Sequence, residues 1–91
     1  MDKKCIIKRK GHEEEFDERK LYASCYSSCI NADISPKKAE KICDKVAKQI
    51  KAEISSKKCV ASDFIFKKAA ELLEKHDKNA AFMYKTHRDI S

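Results

Sequence analysis

The chain has 91 residues, a formal net charge of +6 and an isoelectric point near 9.1. With a single glycine, a single proline and no tryptophan, a turn-rich β fold is excluded and helices are favoured. One domain is expected, with a modest core, because a chain of this size buries only about 60 to 65 per cent of its unfolded surface.

The positive balance calls for an anionic partner, and nucleic acid, nucleotide and acidic protein all meet that need. No apolar run approaches the ~20 residues of a membrane span. The basic N-terminus has no apolar stretch adequate for a signal peptide. A cytoplasmic protein without a membrane partner is therefore expected.

In chain order, Cys5, Ile6 and Ile7 are apolar and suited to a strand. Gly11 supplies the conformational freedom of a tight reversal at Lys10-Gly11. His12 to Glu15 is a polar return arm that needs pairing to the apolar one, with Phe16 as its buried anchor. The hairpin spans about 4–16. Asp17 stands where an N-cap belongs and Glu18 adds favourable charge, so a helix is expected over about 18–31. Its first turns bring Lys20 back toward the arm that carries Lys8 and Arg9. Taken singly, lysine-rich stretches are ordinarily just solvated.

Within that helix Leu21, Cys25 and Cys29 form one apolar stripe, with Tyr22, Tyr26 and Ile30 beside it. Ser35-Pro36 is a specific helix-start signal. The second helix, about 36–53, carries Ala39, Ile42, Cys43, Val46, Ala47 and Ile50 at helical spacing, with Lys37, Lys38, Lys41, Lys48 and Lys51 on the opposite face. Cys59-Val60, within about 58–61, suits a third strand docked beside the hairpin, since a two-stranded ribbon alone is marginal. Ser62 is the expected N-cap of a helix over about 63–75 that buries Ile65, Ala69, Leu72 and Leu73. After the polar break His76 to Asn79, a last helix of about 78–89 places Ala80, Ala81 and Tyr84 on one face. The fold class is α+β and mostly helical: a four-helix bundle-like domain with a small N-terminal β-hairpin capped by a short third strand.

Little catalytic chemistry is available. One glycine cannot build a phosphate-cradling loop of the G-x-x-x-x-G-K type, so any phosphate site must rest on Lys and Arg side chains. Glu13, Glu14 and Glu15 are adjacent on an exposed arm, where like charges repel rather than divide acid and base roles. No enzyme is expected. The five cysteines form no C-x-x-C pair and read as small buried hydrophobes. Cys25 and Cys29, at i and i+4, share a helix face and could supply two zinc ligands, but no second pair follows and His12, His76 and His87 are scattered. No metal site is expected.

The order Ile6-Ile7-Lys8-Arg9-Lys10-Gly11, followed by Phe16-Asp17 and Lys20-Leu21, resembles the opening of an ATP-cone. This is the small regulatory nucleotide-binding domain of ribonucleotide reductases and of their bacterial transcriptional regulators. The resemblance covers nearly the whole chain and departs at Lys10, where the family usually has Asp, which makes this turn more basic. It implies that Lys8, Arg9 and Lys20 neutralise a triphosphate, that Ile6, Phe16 and Leu21 wall the base, and that Asp17 or Glu14 accepts from the base amine or ribose. The segment Val60 to Ile65 resembles the one in which a hydroxyl faces the nucleotide, which makes Ser62 a candidate contact. The run Asp77 to Arg88 resembles the closing segment, in which a basic residue approaches the phosphates, a part open to Lys85 or Arg88.

The implied ligand is ATP or dATP, alone or with Mg2+, acting through oligomeric assembly rather than hydrolysis. With no reductase barrel or zinc ribbon in the sequence, the module is expected to act on an unidentified protein partner in trans or through self-association. The alternative is a small basic helical protein that binds nucleic acid through the lysine face of the second helix. That face lacks Arg, Asn or Gln at base-reading positions, so such binding would be salt-sensitive and blind to sequence.

Overall fold

A computed structural model describes residues 5–7 and 13–88, the last two of these by their backbone alone. The elements are β1 (Cys5–Ile7), β2 (Glu13–Glu15), α1 (Glu18–Asn31), α2 (Pro36–Ile54), β3 (Cys59–Ala61), α3 (Ser62–His76) and α4 (Lys78–Arg88). Four helices and one small sheet make this a mostly helical α+β fold. The expected Lys10-Gly11 turn, together with Lys8, Arg9 and His12, lies outside the described residues. No helix among the described residues is long and apolar enough to cross a membrane.

The strand order is β2-β1-β3. β1 runs antiparallel to β2, with Ile6 opposite Glu14, and parallel to β3, with Ile6 opposite Val60. Residues paired across a ladder share a face, and successive residues alternate. Ile6 and Val60, only 6% and 4% exposed, turn their row toward the helices. Cys5, Ile7, Glu13, Glu15, Cys59 and Ala61 therefore belong to the opposite face. β2 is an edge strand made only of exposed glutamates, and such charge discourages further strand pairing.

The starts of α1, α2 and α4 each have a local cause. The Asp17 carboxylate accepts from the Arg19 N–H at 2.9 Å, and the Ser35 hydroxyl accepts from the Lys38 N–H ahead of α2, where Pro36 occupies the first turn. Asp77 caps α4 by accepting from the Ala80 N–H at 3.0 Å. At the end of α1 the Ile34 N–H donates to the Cys29 carbonyl and the Asp33 N–H to the Ile30 carbonyl, both at 3.0 Å. Asp33 takes a left-handed φ of 64°. This is a Schellman ending in which Asp stands where glycine is usual.

The core lies where α1 packs on α2 and α4, and α3 on α4 and α2. Ile50, Ile54, Leu73 and Val46 are its largest fully buried side chains. Cys25, Cys29 and Cys43 fill it as free thiols. Buried Ser28 donates to the Ser24 carbonyl one turn earlier at 2.9 Å, so its hydroxyl is satisfied within the helix. Tyr84 stacks on Phe66 with ring centroids 5.2 Å apart.

Three expectations are corrected. Ser62 is not an N-cap: Ala61, held in the sheet opposite Ile7, is the cap residue, and the chain passes directly from strand to helix, leaving Ser62 as the first helical residue. Ile30 does not join a buried stripe but is 38% exposed near the end of α1. Cys5 and Cys59 are not buried hydrophobes, because the parallel register places them opposite each other and they form a disulfide. Cys5 is half-buried and Cys59 exposed.

Candidate functional site

The sheet has two functionally distinct ends. At one end Ile7, the residue before Lys8 and Arg9, pairs with Ala61, the residue before Ser62 and α3. Ala61, the cap residue of α3, makes no side-chain cap hydrogen bond. The first-turn amides of a helix carry partial positive charge and suit an anion. Lys57 lies 4.1 Å from the centroid of the Phe64 ring, which places a cation over the first turn of α3. Sequence spacing gives no warning of this contact, because a strand and a helix start intervene between the two residues.

At the other end β2 passes through Phe16 into α1. Asp17 is engaged there, holding the Arg19 amide and lying 3.7 Å from Arg19 Nε. Lys20 is exposed in the first turn of α1. Glu14 belongs to the helix-facing row of the sheet, yet it is exposed because β2 is the outer strand.

The residues expected to wall the base, Ile6, Phe16 and Leu21, meet at the core. Ile6 and Leu21 belong to the core cluster and Phe16 packs against it. Ile6 and Leu21 retain only 6% and 7% of their surface, while Phe16 is half-buried. Ser62 is half-buried at the start of α3.

Lys85 is placed elsewhere. Its Nζ lies 3.9 Å from Glu74 Oε2, twelve residues along α3 from Ser62 and hence about 18 Å up the helix. An ion pair this exposed contributes little to stability. The side chain of Arg88 lies outside the described residues, as do Lys8 and Arg9.

Strongly shifted titrating groups sit in the helical core rather than at the sheet. Burial pushes the Cys25 thiol up to about 12. A hydrogen bond with Cys29, and then burial, raises Cys43. Burial also raises the Tyr84 hydroxyl. All three stay neutral at ordinary pH and act as packing groups. An open groove of about 410 Å³ between α2 and α3 is lined by Lys45, Val46, Lys48, Gln49, Leu72 and His76, and it includes none of the candidate nucleotide-binding residues.

Among curated proteins none matches the chain. The model of the ATP cone domain matches residues 4–90, from the residue before β1 to the residue before the last, and the chain belongs to the ATP-cone family.

Proposed function

We propose that the protein is a non-catalytic regulatory module that binds ATP or dATP, alone or with Mg2+, in the cytoplasm. Occupancy switches the assembly or activity of a protein partner in trans, linked to ribonucleotide reductase or to its transcriptional control. One observation carries this reading: the family match runs over residues 4–90 and so takes in every residue of the proposed site.

In this reading Lys8, Arg9 and Lys20 neutralise the phosphates, helped by the first-turn amides of α3, which begins at Ser62. Phe16 contacts the base, with Ile6 and Leu21 buried behind it. Glu14 accepts from the base amine or ribose, while Asp17, engaged as a cap, shapes the start of α1. Of the two C-terminal cations, Arg88 is the better phosphate contact, since Lys85 is paired with Glu74.

Charge-assisted phosphate contacts contribute roughly 1.5 to 3 kcal/mol each. Titration calorimetry with ATP and dATP should therefore show at least about a hundredfold weaker binding for Lys8→Ala, Arg9→Ala than for the wild type. Equal affinity would exclude the phosphate role.

A second reading, sequence-blind nucleic-acid binding, draws on the exposed Lys37, Lys38, Lys41, Lys48 and Lys51 of α2. Tight DNA binding at physiological salt in a gel shift, unaffected by ATP, would favour it. ATP-dependent oligomers without DNA binding favour the regulatory module.

A further inference from the structure

The face of the sheet turned away from the helices gathers a second set of groups. Cys5 on β1, Cys59 on β3 and Glu13 on β2 place two sulfurs and a carboxylate oxygen all within 4.8 Å of one another. Cys5 Sγ lies 3.2 Å from Glu13 Oε1. We propose that, once the Cys5–Cys59 disulfide is reduced, Cys5, Cys59 and Glu13 bind a thiophilic divalent metal ion of the zinc class.

The geometry fits such an ion. Zinc takes thiolate sulfur at about 2.3 Å and carboxylate oxygen at about 2.0 to 2.2 Å in a tetrahedron, which sets its donors roughly 3.3 to 3.8 Å apart. Once the sulfurs are free, small side-chain rotations reach that spacing. The fourth position is left to water, and exposed Cys59 gives the ion a path in. Soft sulfur donors select zinc-class ions over calcium or magnesium.

Spacing along the chain conceals this site, because its two sulfur ligands are 54 residues apart and meet only through the β1–β3 register. Each ligand comes from a different strand, so one ion would clamp all three.

The chemistry balances. A thiol reductant reduces the disulfide to two thiols by giving two electrons and two protons and becoming a disulfide itself; a phosphine gives the two electrons and becomes its oxide, with water supplying the oxygen and the two protons. Metal binding then releases those two protons, so affinity rises with pH. In a reducing compartment the dithiol is the prevailing form. This site lies on the sheet face opposite Ile6 and Val60 and does not depend on the nucleotide reading.

The test uses the full chain, reduced with a phosphine, transferred anaerobically to reductant-free buffer and titrated with Co2+. One cobalt per chain should bind, with a thiolate-to-cobalt charge-transfer band and tetrahedral visible bands that Zn2+ bleaches. The oxidised chain should show neither. The double variant Cys5→Ser, Cys59→Ser should lose the band although Cys25, Cys29 and Cys43 remain, and Glu13→Gln should keep it with affinity lowered roughly tenfold. No charge-transfer band from the reduced wild type, or an undiminished band from either the oxidised chain or the double variant, would overturn the proposal. The oxidised wild type carries no substitution, so the comparison holds even where the double variant folds poorly.

Discussion

The helical core and the N-terminal sheet are built on opposite principles. In the core, α1, α2 and α4 are each started by a capping neighbour in sequence, buried stripes stabilise the helices, and Cys25, Cys29 and Cys43 are buried among them. In the sheet, three strands of three residues each join a local pairing, β1 with β2, to a distant one, β1 with β3, and one strand is wholly exposed. Yet the proposed ligand groups cluster at the sheet and the helix starts beside it. On the proposed reading the bundle supplies most of the buried core and the sheet end supplies the ligand contacts.

Truncating the core should break this division most severely. Ile50 is fully buried, so Ile50→Ala should cost about 2 to 5 kcal/mol in chemical denaturation. Ile7→Ala, on the 40% exposed outer face of the sheet, should cost far less. Comparable losses would show that the sheet and the bundle share one energetic unit.

A smaller effect sharpens the same contrast through pH. The Cys25 thiol is raised from 9.0 to about 12 by burial. The unfolded chain therefore loses its proton first as pH rises, and the stability contributed by the neutral buried thiol is full below about pH 9 and declines toward pH 12. The slope approaches about 1.4 kcal/mol per pH unit for each such group. Thermal unfolding across this range should show the decline, and Cys25→Ala should reduce it.

The smallest effect concerns the α1–α2 connection. Asp33, at φ 64°, occupies a left-handed position that costs a residue with a Cβ about 1 kcal/mol. Asp33→Gly should raise stability by up to about that amount, and Asp33→Val should lower it, as read from denaturation midpoints.

What could be read from the sequence follows the same line. Asp17, Ser35-Pro36 and the regular spacing from Ala39 to Ile50 are local signals, and the structure uses each as a cap or a buried stripe. The third strand was legible because the hairpin needed a partner. Ser62 misled because a hydroxyl before a helix looks like a cap, whereas the ladder holds Ala61 in that role. The disulfide was invisible, since nothing in the spacing of Cys5 and Cys59 shows that a parallel register will set them side by side. For the site, the cationic motif is legible as chemistry. The separation of Ser62 from Lys85 had to come from the direction of α3 and its ion pair with Glu74.

The parallel pairing of β1 with β3 also orders assembly. β1 is made first during synthesis, but its partner follows only after α1 and α2 have been completed. Contacts between neighbouring helices close short loops and form early, whereas a ladder spanning more than half the chain forms late. The opening strand therefore gains its second partner only after α1 and α2 are made, and a nascent chain stopped before Cys59 lacks the third strand of the sheet.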